Sequence, residues 1–342
     1  MRLPDDFTDA LTAFLQRAAG AARVEIAALR RLTGGASRET WSLDATLTRA
    51  DGSTETLLLV LQRDTRGAPK AMSRTVEFQL MKAAFDEGVP APEPLFMGDG
   101  SLGGEFFLLR RVDGETLPRR LLREDAYATA RAALPAQLGR TLAGIHAIRL
   151  EDHHLDSPLP APPPSVSPAR HEVDRYEQIY RAIALQPSPA FELAIRYLHR
   201  SPYVAAAADD RRTLVHGDFR IGNVLFGPEG LRLMLDWELA HIGDPMEDMG
   251  FICVRSWRFG GPKPVGGIGD RDEFFAAYEA AGGQQVDPER VRFWEVFGNL
   301  RWGVICLSQA RTYIDGHSNS VELAAIGRRT AETEWELLEL IG

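Results

Sequence analysis

Apolar positions along this chain recur first with a helical period and then with a strand period. Phe7, Leu11, Phe14 and Leu15 share one helix face, and Glu25 to Leu32 reads as a strand behind it. Trp41, Leu43, Ala45 and Leu47 alternate as on a half-buried strand, Asp51-Gly52 marks a hairpin, and Leu57 to Gln62 forms a third strand. A small-residue loop, Thr33 to Arg38, separates the first two strands. Helical spacing returns over Lys70 to Phe85 through Val76, Leu80, Met81, Ala84 and Phe85, and Val89-Pro90-Ala91-Pro92 ends it. The stretch from Gly98 to Gly104 fits G-x-G-x-x-G, yet a strand pattern (Glu105 to Leu109) follows it instead of a helix, so it reads as a hairpin turn. Downstream the pattern is mostly helical: Ala132 to Ile148, Tyr176 to Ile183, Ala190 to Tyr197, and from Asp272 to the C-terminus. The Pro- and Ser-rich stretch from Asp156 to Pro168 reads as an extended surface connection, and the helices after it as an insertion placed to help shape a substrate pocket.

Chemistry concentrates in Leu214 to Phe226 and the apolar run ending in Asp236-Trp237-Glu238. His216, Asp218 and Asn223 keep the spacing of the protein-kinase catalytic loop H-R-D-x-x-x-x-N, with Gly217 in place of the Arg. Phosphoryl transfer needs these types: an Asp to orient or accept the proton of the attacking hydroxyl, and an Asn and a further Asp to hold magnesium against the nucleotide phosphates. Asp, Asn and Gly are also common turn formers. What separates the readings is the continuation Gly243-Asp244-Pro245-Met246-Glu247-Asp248-Met249-Gly250.

Taken together, these segments resemble the aminoglycoside-phosphotransferase-like superfamily, which includes choline-kinase-like proteins and carries H-G-D-x-x-x-x-N, then an Asp near an aromatic and an acid, then G-D-P-x-x-D. The resemblance implies an α+β, two-lobe protein-kinase-like fold with an antiparallel-sheet N-lobe (residues 1–111) and a mostly helical C-lobe (112–342), binding ATP and magnesium between them. It implies that Asp218 is catalytic, that Asn223 and Asp236 bind magnesium, and that Asp244 and Asp248 brace the loop. Gly34, Gly35 and Ser37 would cover the phosphates. Glu77 would be the helix acid that pairs with a cation on the third strand, and the Arg110 carbonyl and Val112 amide would hold adenine. At the cation the chain departs from the pattern: Gln62 stands where many relatives have Lys or Arg, with Arg63 beside it on the opposite strand face. Either Arg63 reaches round through a bulge, or Gln62 holds phosphate by neutral hydrogen bonds.

Within the superfamily, Asp236-Trp237-Glu238-Leu239-Ala240 and Phe297-Gly298-Asn299-Leu300-Arg301-Trp302 look most like the kinase-like domains fused to acyl-CoA dehydrogenases. That branch implies a hydroxyacyl-CoA or similar hydroxylated acceptor. Arg255, Arg258 and Arg301, beside aromatic residues, agree with an anionic small molecule, unless they are structural partners of Glu247 and Asp248. An antibiotic kinase, a nucleotide-binding pseudokinase and a metal-dependent hydrolase built on His216, Asp218 and Asp236 are the alternatives. The absence of further His at ligand spacing disfavours the hydrolase.

At 342 residues, 44% hydrophobic and 25% charged, the chain has the composition of an ordinary globular protein. Its net charge of −9 argues against nucleic acid or an anionic membrane as partner. Cys253 and Cys306 sit far apart in apolar settings, which suggests core thiols and no disulfide framework. An acidic start and the absence of any long apolar run lead to the expectation of a soluble cytoplasmic enzyme.

Overall fold

The computed structural model describes residues 5–32, 38–64, 72–205 and 211–342. It divides into two compact units. The first comprises residues up to Glu115 with Glu151–Pro158 and Arg232–Glu238, and the second Thr116–Leu150, Leu159–Leu231 and Leu239–Gly342.

In the first unit, helix α1 (Asp5–Ala19) precedes strands β1 (Arg23–Leu32), β2 (Arg38–Thr48) and β3 (Thr54–Asp64), helix α2 (Arg74–Asp86), and strands β4 (Pro94–Met97) and β5 (Phe106–Arg110). The strands form an antiparallel sheet ordered β1-β2-β3-β5-β4. The Asp51-Gly52 turn sets the β2–β3 register, which runs unbroken from Thr48↔Thr54 to Arg38↔Asp64. Because side chains alternate between faces, Trp41, Leu43, Leu47, Leu57, Leu59 and Leu61 all point to one side, where they bury against Phe7, Leu11, Phe14 and Leu15 of α1. Adjacent phenylalanines on β5 divide the same way. Phe106 meets Phe14 edge-on at 4.8 Å, and Phe107 lies 6.2 Å from Phe78 of α2. The Gly98–Gly104 stretch is the β4–β5 connection, closed by the Gly98 amide on the Phe106 carbonyl at 2.9 Å.

The second unit carries helices α3 (Pro118–Arg123), α4 (Ala128–Ala147), α5 (Pro168–Ile183), α6 (Pro189–His199) and α7 (Pro202–Ala205). Short strands β6 (Thr213–Val215), β7 (Val224–Gly227), β8 (Gly230–Met234, whose residues from Arg232 onward belong to the first unit) and β9 (His241–Gly243) follow. The remaining helices are α8 (Met246–Cys253), α9 (Arg271–Ala280), α10 (Pro288–Ile314), α11 (Val321–Gly327) and α12 (Thr330–Ile341). The Pro-rich connection ahead of α5 runs along Arg212, whose guanidinium donates to the carbonyls of Pro162, Pro163, Pro164 and Val166. α8 packs on α10 at Gly250, where any Cβ would lie 2.6 Å from the Trp294–Glu295 backbone. Cys253 and Cys306 are buried free thiols, as expected, and burial pushes both up to about 12. Among the described residues, no helix is long and apolar enough to cross a membrane.

A block of buried charge fixes β9 inside this unit. Arg301 of α10 is fully buried, donates to Glu247 at 3.0 Å and lies over the Phe251 and Tyr176 rings. It is therefore a structural partner of Glu247, which removes it from the candidate acceptor contacts. Glu172, His241 and Glu247 cluster at a spacing that could hold a cation. Arg175 and Arg301 already meet those carboxylates, and His241 joins them: burial pulls its imidazole down, but Glu247 and Glu172 outweigh that and push it up to about 9. Since this lies above the ordinary His value of 6.5, the stabilisation is fully present below pH 6.5 and is lost as pH rises through 9. Denaturant unfolding should therefore show stability falling over that window by on the order of 3 kcal/mol, with the fall absent in His241→Gln. An equal slope in the variant would remove His241 as its source.

Candidate active site

The catalytic-loop motif begins where β6 ends, since Val215 pairs with His241 of β9 and the next residues turn out of the sheet. Asp248, in the first turn of α8, holds that turn. Its carboxylate is fully buried and accepts the His216 amide at 2.8 Å, the Gly217 amide at 2.9 Å and a ring nitrogen of His146 at 3.2 Å. Burial pushes this carboxyl up, but the bonds from His146 and the His216 amide win and hold it below the usual carboxylate range. His146 in turn bonds the Tyr278 hydroxyl at 2.8 Å, tying α4 and α9 to the loop. Asp244 lies elsewhere: it accepts the Met246 amide and the Trp294 indole and pairs with Arg290, so it anchors α8 to α10 and does not touch the loop.

Gly217 has a physical reason to replace the arginine of the protein-kinase pattern. Its φ is +76°, and a Cβ there would lie 2.3 Å from the Leu239 carbonyl oxygen. The residues it releases meet at once. The Asp218 carboxylate accepts Arg220 Nε at 2.9 Å and Asn223 Nδ2 at 2.6 Å, and the same Asn223 nitrogen bonds the Asp218 carbonyl at 2.9 Å. Asp218 and Asn223 thus lie in contact. His216 accepts the Asp218 amide at 3.2 Å, which uses it within the loop.

Arg220 was not singled out by the sequence and extends the site further. Its guanidinium lies 4.8 Å from the Trp257 ring, in the turn Arg255–Arg258. Beside that turn opens a cavity of about 970 Å³ in the second unit, lined by Arg119, Arg255, Arg258, Arg329, Phe259 and Trp335 among others. Glu332 is the one acidic residue of its lining and is paired with Arg329 at 3.1 Å. Arg258 bonds the Cys253 carbonyl and Glu295, whereas the Arg255 side chain is 64% exposed with one 3.3 Å contact to Glu336. The inserted helices α5 and α6, expected to shape an acceptor pocket, contribute nothing to this lining.

In the first unit, Asp236 sits at φ +67°, one of the few non-glycine residues there, and its side chain is 38% exposed. Arg63 does not reach round to the Gln62 face, and the cation that meets Glu77 is not on β3. Odd-numbered residues of β3 face α1, so Arg63 lies 5.0 Å from the Phe7 ring and is held by Glu39 and, at 2.8 Å, by the Leu102 carbonyl. The unbroken register leaves no bulge by which it could turn round. Buried Glu77 instead meets Arg38 of β2 at 2.9 Å and, from its own helix, Arg74. Burial pushes the Glu77 carboxyl up against the pull of both guanidinium groups. Gln62 accepts from Arg38 at 3.3 Å. Gly34, Gly35 and Ser37 lie outside the described residues. Arg110 ends β5, paired with Glu93, and Val112 lies exposed just beyond it.

A family model described as "Phosphotransferase enzyme family" matches residues 28–294. The chain belongs to this phosphotransferase family. Among curated proteins it is similar to acyl-CoA dehydrogenase family member 11 of Pongo abelii, at 32% identity over 64% of this chain and 29% of that protein. It is also similar to family member 10 of Mus musculus, at 27% identity over 81% and 27%. The chain thus spans less than a third of these relatives' length. Among solved structures, a putative aminoglycoside phosphotransferase from Ralstonia eutropha shares the fold over 97% of this chain and 98% of its own, with TM-score 0.71 and 22% identity. A spectinomycin phosphotransferase in complex with ADP and spectinomycin shares it over 96% and 98%, with TM-score 0.63 and 14% identity. The fold is the α+β fold of these phosphotransferases.

The tight fit at Gly217 gives the first test of the site. Gly217→Ala should destabilise the protein by about 1–3 kcal/mol and lower phosphotransfer more than that loss of folded protein accounts for. Denaturant unfolding and activity per folded molecule check both, and wild-type values would show that the loop tolerates a Cβ there.

Proposed function

We propose that the chain transfers the γ-phosphoryl group of ATP to the hydroxyl of a small, negatively charged acceptor, with a hydroxyacyl-CoA as the leading candidate. The observation that carries this reading is the Asp218 carboxylate, held between Arg220 and Asn223 on a loop braced by Asp248. A carboxylate fixed in this way would orient an acceptor hydroxyl and take its proton as the new O–P bond forms and ADP leaves. Asn223 and Asp236 are the proposed magnesium ligands. Asn223 uses its side-chain nitrogen on Asp218, which leaves its oxygen, and the half-buried Asp236 carboxylate would supply the hard oxygen that magnesium prefers. Magnesium, when bound, would neutralise phosphate charge. Gly34, Gly35 and Ser37 are assigned to the phosphates, Gln62 and Glu77 to the framework around them, and the Arg110 carbonyl and Val112 amide to adenine. The intact Asp218, Asn223 and Asp236 set speaks against a pseudokinase.

The acceptor class rests on the arginine-lined cavity, which Trp257 and Arg220 connect to Asp218 within one unit. Four guanidinium groups with two aromatic rings suit an acceptor bearing phosphate or carboxylate groups, and they would repel a polycationic antibiotic. The names of the curated relatives, acyl-CoA dehydrogenase family members, agree with a CoA thioester. The solved relatives named as aminoglycoside phosphotransferases support the antibiotic reading, against which the charge of this cavity counts.

Asp218→Asn should lower kcat by about 10²- to 10⁴-fold while leaving the Kd for the magnesium–ATP complex nearly unchanged, as measured by turnover and calorimetry. Parallel loss of binding and turnover would take Asp218 out of its role at the acceptor. Arg255→Glu, at an exposed position, should raise KM for hydroxyacyl-CoA substrates and leave KM for ATP unaltered. Efficient turnover of kanamycin with none of hydroxylated carboxylates or CoA thioesters would restore the antibiotic-kinase reading.

A further inference from the structure

Arg38 occupies a position that no motif assigns. It opens β2 directly after the glycine loop, and its side chain lies on the Thr40 and Gln62 face of the sheet, away from α1. Only 7% of that side chain is exposed. Its guanidinium bonds Glu77 at 2.9 Å, Gln62 at 3.3 Å and Glu238, and lies 3.9 Å from the Asp236 carboxylate. Its Nε has no hydrogen-bond partner among the described residues. Burial lowers its pKa, but the charges of Glu77, Glu238 and Asp236 outweigh that, so the guanidinium stays charged.

A kinase-type phosphate site requires a cation that is paired with the helix acid and lies beside the metal-binding Asp. On β3 that place is held by neutral Gln62, and Arg63 is committed to the other face by Glu39, Leu102 and Phe7. Arg74 also reaches Glu77, but it is fixed by Asp64 at 2.5 Å under the Phe107 ring. Of the described cations in this cluster, Arg38 alone contacts both Glu77 and Asp236.

We propose that the phosphate-binding cation of this protein has moved across the β2–β3 ladder: Arg38, anchored by Glu77 and resting on Gln62, donates to the phosphate oxygens of the nucleotide. This rests on the nucleotide-dependent reading above. Arg38 and Arg74 face four carboxylates, Asp64, Glu77, Asp236 and Glu238. That excess of negative charge suits a magnesium–nucleotide complex and would repel a bare triphosphate. Glu238, which pairs with Arg38, is the group that a phosphate oxygen would displace.

The test uses the full chain, with calorimetric Kd values for magnesium–ATP and, separately, for adenosine. Arg38→Gln should weaken magnesium–ATP by roughly 10- to 100-fold, the loss of a charge-assisted hydrogen bond, with adenosine affinity unchanged. The exchange Arg38→Gln/Gln62→Arg should recover most of the lost affinity, and Arg63→Gln should leave both ligands as in the parent. A purely structural arginine would move adenosine and magnesium–ATP together, and that result overturns the proposal, as does unaltered magnesium–ATP affinity in Arg38→Gln. If Arg38→Gln does not fold, the exchange variant decides: binding near the parent's supports the transposed cation, and a folded exchange variant that holds adenosine but not magnesium–ATP overturns it. Failure of the parent chain to bind magnesium–ATP would instead strike at the nucleotide-dependent reading itself.

Discussion

The carboxylate of Asp248 is fully buried, and a buried charge survives only where donors converge on it. Two of its donors are consecutive amides, those of His216 and Gly217, which fixes the direction of the chain as it leaves β6. The turn this imposes brings Gly217 against the Leu239 carbonyl, so no side chain fits there. Downstream, the geometry of Asp218, Arg220 and Asn223 follows from that turn. His146 and Tyr278 extend the same network into α4 and α9, so the helices of the second unit support the loop through one oxygen-rich point.

Charges in the second unit fall into two groups. Arg290 and Arg301 are buried and matched by Asp244 and Glu247, and losing either partner would leave an uncompensated charge inside the protein. Around the cavity, by contrast, arginines outnumber the acids of the lining, although the chain as a whole carries a net charge of −9. A local basic pocket in an acidic protein concentrates attraction for anions at one place. Overall charge therefore says little about what a local pocket attracts.

In the first unit the balance is reversed, with carboxylates in excess around Arg38 and Arg74. Asp236, held at a positive φ, contributes one of them. On the proposed reading, this acidic cluster with embedded guanidinium groups would receive a metal cation and phosphate together.

What the sequence determined by itself was whatever depends on short spacings. The strand and helix periods placed α1, β1 to β3, α2 and β5, and the five-residue step from Asp218 to Asn223 placed both on one turn. Membership of the family was readable for the same reason, since its motifs are contiguous. Strand parity had already put Arg63 on the far face, and the Asp51-Gly52 hairpin contained the register that sets Thr40 opposite Gln62 and Arg38 on the same face. Only the tertiary structure decided what that face meets. The pairing of Arg38 with Glu77 and Glu238 joins residues 39 and 200 positions apart, and the arginine cavity assembles α3, the Arg255–Arg258 turn and α12. Such contacts follow from how helices and strands pack, and no local pattern encodes them. The same holds for Arg301, whose role as an acceptor contact or a buried partner was settled by the position of Glu247 beside it.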